Sequence, residues 1–437
     1  MAFLLFLLVN ATLFLRPAEI FPDLRGMPIY ECLMAGCLIG YRHGIMNQLR
    51  PSRLVTQPVT MCALLMLAAI GLSHLTHVYF YGFRTAIDQY IRTFAYFLIA
   101  LAALTTTERL NTFLRWVAIS ASLMVLLCVI DYAEIVDFEF VTHIDDREGS
   151  VTETNEQVMV QRMRGTGIFE DPNDICLVIN AAGVLCLYFF TAPGWNSLRL
   201  LWLAPMFWLG LGLLFTHSRG GLLSCGAAVI TLLSFRYDMR IGIAAAIGGI
   251  AILPVIGGRQ GSIDLEDGTG QDRIQLWAEG FEALKSADLF FGIGMNEYGD
   301  MAGLVAHNSF VHAYTELGIF GGTLFFGMFL FSALSVYRAS RVLDRLHDRS
   351  LIRLQPFLAA MLLGWSIGLM SLSRCYVVPT YLLLATVTAY SNLVAGDLTP
   401  PRPLVRWDRH HIGRLVCCSA VWFMGLFLFT KLMARWS

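Results

Sequence analysis

The sequence predicts an all-α polytopic membrane protein with about 12–14 transmembrane helices, forming a single integral-membrane domain over residues 1–437. Three observations predict it. Hydrophobic residues make up 56% of the chain and charged residues only 14%, whereas a soluble domain carries roughly 25% charged residues to face water. Apolar runs of about 18–22 residues, enough to cross the hydrocarbon of a bilayer, recur from end to end. The arginines cluster in alternate connections between those runs, as expected of loops held on one side of a membrane.

Taken in order, spans are expected near 1–15, 27–41, 58–79, 88–104, 114–131, 174–191, 198–215, 220–235, 241–256, 311–335, 356–373, 376–394 and 415–433. The first run has no basic segment before it and no small-residue cleavage site after it, so it reads as a retained span rather than a signal peptide. All ten cysteines lie in or beside apolar runs, which fits small hydrophobes between helices and offers no disulfide framework or metal-ligand spacing.

One set of connections holds Arg42, Arg50 and Arg53, then Arg109 and Arg115, Arg236 and Arg240, Arg338 to Arg353, and Arg402 to Arg414. The orientation rule places these in the cytoplasm. The opposite set contains two long loops, 132–173 and 257–310, which then face the periplasm. In the first, 151–164 alternates loosely and permits a short hairpin. In the second, 257–272 is rich in Gly and Asp. From Asp272, read as an N-cap, Ile274, Trp277, Phe281 and Leu284 recur at helical spacing and predict an amphipathic helix near 272–285, with Trp277 as an interfacial anchor. Residues 397–410 read as a short proline-stiffened linker on the cytoplasmic side.

Three arginines stand on the side the rule disfavours: Arg164 at the end of the first loop, Arg219 in THSRGG (216–221), and Arg273 at the start of the amphipathic helix. A guanidinium is always charged, and its rigid fork of donors suits phosphate oxygens. The plainer alternative is pairing with a neighbouring carboxylate or snorkelling to headgroups. Gly220 and Gly221 beside Arg219 would let another backbone or a ligand approach. His307 opens HNSFVHAYTELG (307–318), where Asn308 or Ser309 would cap a helix. The positive helix end disfavours imidazolium there, which leaves a neutral imidazole able to accept a proton or simply to hydrogen-bond a loop carbonyl. His74, His77, His217 and His312 read as packing or interface residues. Glu316, an acid inside a span, is either a functional group or a structural partner for an arginine. Asp171, Pro172 and Asn173 read as a helix start.

The ordered motifs GTGIFEDPND, THSRGG, DRIQLW with FGIGMNEY, and HNSFVHAYTELGIFGG resemble those of the O-antigen ligase and polymerase superfamily over roughly 160–325, and FLRPAEIFPDL resembles the first loop of many members. The resemblance implies an integral-membrane glycosyltransferase (GT-C-like) architecture and a metal-independent, inverting enzyme without a cofactor. Its donor would be an undecaprenyl-diphosphate-linked glycan, and its acceptor hydroxyl would lie on a glycan, a lipid A core or a protein. It implies that Arg219 and Arg273 hold the diphosphate and that His307 is the catalytic base, at the periplasmic face of the bacterial inner membrane. Arg164, without a family counterpart, and Glu316 are further candidates for substrate binding. Membrane lipids and a chain-length regulator protein are the other partners expected, and no nucleic acid. The alternative is a lipid-linked glycan transporter or flippase. Against it, the two halves show no repeat, no pair of Gly/Pro-broken spans stands in matching positions, and the polar residues concentrate in loops.

Overall fold

Backbone in hydrocarbon must satisfy its own N–H and C=O groups, so each apolar run has little choice but to become a helix. The computed structural model describes residues 1–151, 157–194, 197–256 and 269–435. Its principal helices are α1 (Ala2–Leu15), α2 (Ile29–Gln48), α3 (Pro58–Leu75), α4 (Phe80–Ala103), α5 (Thr107–Tyr132), α6 (Pro172–Phe190) and α7 (Leu203–Phe215). There follow α8 (Arg219–Arg236), α9 (Met239–Ile256), α10 (Thr269–Ala283), α11 (Ser309–Ser340), α12 (Arg349–Gly368), α13 (Val378–Asp397) and α14 (Arg409–Met433). Among the described residues, 8 helices are long and apolar enough, by length and composition, to cross a membrane. The protein is an all-α polytopic membrane protein.

Every expected span falls on a helix. Those outside the eight coincide with α1, α2, α4, α8 and α9: α1 has only 14 residues, and α4 carries Arg84, Asp88 and Arg92. The only sheet among the described residues is a hairpin, β1 (Ile144–Val151) against β2 (Gln157–Arg162), antiparallel with Ile144 opposite Arg162. It starts earlier than the 151–164 alternation suggests. The Gly- and Asp-rich stretch 257–268 lies outside the described residues.

The chain divides into two compact units. The first comprises residues 1–40, 106–263 and 352–368. In it α5, α6 and α7 pack on one another and α1 lies on α5, with the Trp116 indole N–H donating to the Leu7 carbonyl at 2.7 Å. Small residues let helices close up, as membrane packing requires. A Cβ on Gly221 of α8 would lie 2.4 Å from Cys176 Sγ of α6, and one on Gly368 of α12 would lie 2.1 Å from Leu177.

The second unit comprises residues 41–105, 264–351 and 369–437. Here α11 packs along α3, and α4 along α13. Buried tyrosines tie helices by hydroxyls that would otherwise be costly in an apolar interior. Tyr381 donates to the Tyr90 hydroxyl at 3.0 Å, and Tyr90 to the Ala63 carbonyl at 2.9 Å.

Candidate functional site

Within the first unit, the motifs GTGIFEDPND and THSRGG are brought together. Asp171 caps α6 by accepting the Asn173 amide at 2.7 Å, with Pro172 in the first turn. Ser218 caps α8 by accepting the Gly221 amide at 2.9 Å, and its hydroxyl donates to Asn173 Oδ1 at 2.5 Å. The two helix starts are therefore cross-linked at their caps. Arg219 is the first residue of α8, half-buried. Just before the cap, His217 takes a left-handed backbone, φ 47°. Gly221 serves the contact with Cys176, so its missing side chain is explained by helix packing.

Arg162, which sequence reasoning did not single out, anchors this region. It is buried, donates through Nε to the Thr216 carbonyl at 2.9 Å, and pairs through Nη1 with Asp146 at 2.9 Å. The β-hairpin is thereby fastened to THSRGG. Arg164 turns to its own loop: its Nε donates to the Glu170 carbonyl, and its Nη2 lies 3.7 Å from Glu170 Oε2. FLRPAEIFPDL closes on the same loop, with Phe14 stacked on Phe169 at 5.8 Å between centroids and the Thr166 hydroxyl donating to the Phe14 carbonyl at 3.4 Å.

Within the second unit, Arg273 and His307 share one small region. Arg273 lies in the first part of α10, which starts at Thr269, so Asp272 sits in the first turn instead of capping it. One turn further on, the Trp277 indole N–H donates to the Ala306 carbonyl at 2.6 Å, next to His307. Trp277 thus ties the Arg273 helix to the His307 turn. The apolar face Ile274, Phe281 and Leu284 is buried, and Phe281 packs edge-on to Phe423 and Phe427 of α14. That face therefore meets α14.

His307 has φ 47° and precedes Asn308, whose side chain accepts the Phe310 and Val311 amides at 3.0 and 3.3 Å. A left-handed non-glycine residue is uncommon and persists only where its surroundings fix it. The fixing contacts continue at Ser309: its hydroxyl donates to the Leu372 carbonyl at 2.5 Å and accepts the Arg374 amide at 2.8 Å. Arg374 is a further arginine, held at this turn by its backbone amide. Its signal was present, since it lies between the expected spans 356–373 and 376–394, on the side where arginine is disfavoured.

Nine residues into α11 the helix breaks at Gly318, φ 64° and ψ −170°. The break frees carbonyls, and the FGIGM segment fills the gap. The Ile293 amide donates to the Thr315 carbonyl at 3.1 Å and the Gly294 amide to the Glu316 carbonyl at 3.0 Å. The approach is close enough that a Cβ on Gly318 would lie 2.3 Å from the Phe290 carbonyl carbon, and one on Gly292 would lie 2.2 Å from that of Glu316. FGIG and TELG therefore form one interlocked piece of backbone.

Glu316 lies beneath this crossing and is fully buried. Its Oε1 is 2.9 Å from His312 Nε2 and accepts the Tyr298 amide at 3.3 Å. His312 stacks on Tyr298 at 5.3 Å. The Tyr376 ring meets His312 edge-on at 6.1 Å between centroids.

Fold and motifs thus define a polytopic membrane protein with two capped helix starts and an arginine beside each. Residues 204–326 match the family model described as O-antigen ligase, so this stretch is similar to the O-antigen ligase/polymerase superfamily. The matched stretch contains Arg219, Arg273, His307 and Glu316, and leaves Arg164 outside. No curated protein sequence matches the chain.

Proposed function

We propose that the protein transfers an undecaprenyl-diphosphate-linked glycan to an acceptor hydroxyl at the periplasmic face of the bacterial inner membrane, in polymerisation or ligation of a surface polysaccharide. The family match supports glycan transfer. The observation that carries the site is the Trp277–Ala306 hydrogen bond, which holds the Arg273 helix against the His307 turn.

In this reading His307 accepts the proton of the acceptor hydroxyl as that oxygen bonds to the anomeric carbon. The bond from that carbon to the diphosphate oxygen breaks on the opposite side, so the configuration inverts. Arg219 and Arg273 neutralise the leaving diphosphate with charge-assisted, forked hydrogen bonds. Preorganised donors of this kind contribute on the order of a hundred- to a thousandfold each. Because arginine supplies the neutralising charge, transfer proceeds without a metal. His307 sits before the positive end of α11, where the neutral, proton-accepting imidazole is favoured. Glu316 acts by bracing: its carboxylate holds His312 and the Tyr298 amide under the helix break and so fixes the turn that presents His307. Arg164, which lies against Glu170 in its own loop, is a further candidate for donor binding. The break in α11 is occupied by the chain's own amides, which gives a transporter reading no ion site there.

Purified protein supplied with a defined lipid-diphosphate glycan and acceptor tests the proposal. Product should form in excess chelator, with the anomeric configuration inverted. Activity lost to chelator and restored by Mg²⁺ or Mn²⁺ would overturn the arginine mechanism.

A further inference from the structure

The second unit contains a cavity of about 350 Å³ that the proposed chemistry does not use. Ser332 and Ser335 of α11 and Thr388 and Asn392 of α13 line it, together with Arg53 of the short helix Pro51–Thr56 and Arg402 of the segment between α13 and α14. Ser332 lies 23 residues beyond the start of α11, roughly 30 Å from it along the helix. The cavity therefore sits at the other end of α11 from His307.

One wall is the proline-rich segment 397–408, which is docked and not a loose linker. Its Trp407 amide donates to the Val55 carbonyl at 2.7 Å, its Leu404 carbonyl accepts Arg338 Nη1 at 2.6 Å, and Leu404 and Val405 are buried. Both arginines are exposed residues at the rim, and among the described residues no carboxylate lines the cavity. The neighbouring acids are occupied elsewhere: Asp397 accepts the His347 and Asp348 amides at 2.7 and 3.1 Å, and Asp408 accepts the His411 amide at 2.9 Å.

The floor supplies the second observation. Hydroxyls inside helices ordinarily bond the carbonyl one turn back. On α13 they do so: Thr388 donates to Leu384 at 2.7 Å and Ser391 to Val387 at 2.8 Å. Ser332 is 0% exposed and, among the described residues, its hydroxyl has no hydrogen-bond partner. Buried polar groups are seldom left so, and an unmet one lining a cavity calls for a ligand atom. Two guanidinium groups with no carboxylate beside them in the lining, among the described residues, call for an anion, and hydroxyl and amide side chains call for further oxygens.

We propose that this cavity binds a phosphate ester bearing hydroxyl groups, with the phosphate between Arg53 and Arg402 and its oxygen substituents over Ser332 and Asn392. Two sources share that chemistry: the phosphoglycerol headgroup of an anionic lipid and a soluble sugar or polyol phosphate. The proposal is independent of the transferase reading.

The test uses the full chain, purified and delipidated in detergent, with binding read by native mass spectrometry and thermal unfolding. The probes are short-chain phosphatidylglycerol, phosphatidylcholine of the same chain length, and glycerol 3-phosphate. Wild type should bind phosphatidylglycerol in preference to phosphatidylcholine if the source is lipid, and should also bind glycerol 3-phosphate if the phosphate alone suffices. Either result supports the site. Arg53→Gln with Arg402→Gln should weaken that binding by about a hundredfold, roughly tenfold for each charged hydrogen-bond donor lost. Arg345→Gln with Arg349→Gln, the same charge change outside the cavity, should leave it within about twofold. Ser332→Leu keeps both arginines, fills the cavity and should abolish binding. Equal affinity for the two lipids without binding of glycerol 3-phosphate, binding unchanged by either cavity variant, or an equal loss in the control pair would overturn the proposal.

Discussion

The turns that open α8 and α11 use the same local device to different ends. Each has a histidine at φ 47°, then a polar cap, then a helix. Before α8 the cap is Ser218, locked to Asn173, and Arg219 follows inside the first helical turn. Before α11 the cap is Asn308, locked through Ser309 to Leu372 and Arg374, and His307 precedes it. A helix N-terminus carries partial positive charge, so it raises the potential around Arg219 and favours an anion there. The same field disfavours an imidazolium. One local geometry thus places an arginine just inside one helix start and a histidine just before the other.

The two helices then diverge. After its cap α8 runs to Arg236 as one helix, whereas α11 breaks at Gly318 and relies on the FGIGM backbone to complete it. The sharpest way to break the comparison is therefore a glycine swap. Gly318→Val places a branched side chain at φ 64° against the Phe290 carbonyl, and membrane-inserted, monodisperse protein should fall to a small fraction of wild type by fluorescence-detected size exclusion. Gly226→Ala, in α8 with nothing within 4 Å of the new Cβ, should leave yield unchanged or slightly higher.

Next in size are the arginines. Arg219→Lys and Arg273→Lys should each lower transfer by about two to three decades, nearly as far as Ala, since lysine copies a forked contact poorly. Near-normal activity of both lysine variants would bring the transporter reading forward.

The caps should matter less. Asn308→Ala removes a cap that accepts two amides and Ser218→Ala a cap that accepts one, each cap contributing about 1 kcal/mol. Ser218→Ala should lower the Tm further because it also loses Asn173. Equal shifts would mean that the α6–α8 cross-link contributes nothing.

Orientation gives the smallest expected change in activity and the clearest in labelling. In a background without native cysteines, Ser150→Cys should react with an impermeant thiol reagent in intact spheroplasts. Ser350→Cys should react only after permeabilisation, and both should transfer glycan normally. Equal labelling would overturn the periplasmic assignment.

Much of this was legible in the sequence because it is local. Apolar length marks helices, and Asp171 and Asn308 mark their starts by side-chain chemistry. What escaped depends on contacts between distant segments. The break at Gly318 looks like an ordinary helical glycine until Ile293 and Gly294 are seen to fill it. The partner of Trp277, the Ala306 carbonyl, lies 29 residues further along the chain. The start of α10 was displaced because Asp272 is as good in a first turn as at a cap. The docking of residues 397–408 depends on Val55 and Arg338, far away in sequence.

The central claim is that His307 is the proton acceptor and that its turn exists to present it. The direct measurement is glycan product formed per folded His307→Gln protein, with donor binding measured separately on the same preparation. The account predicts donor affinity within about threefold of wild type, and transfer lower by roughly two to four decades. Near-normal transfer by His307→Gln would contradict it.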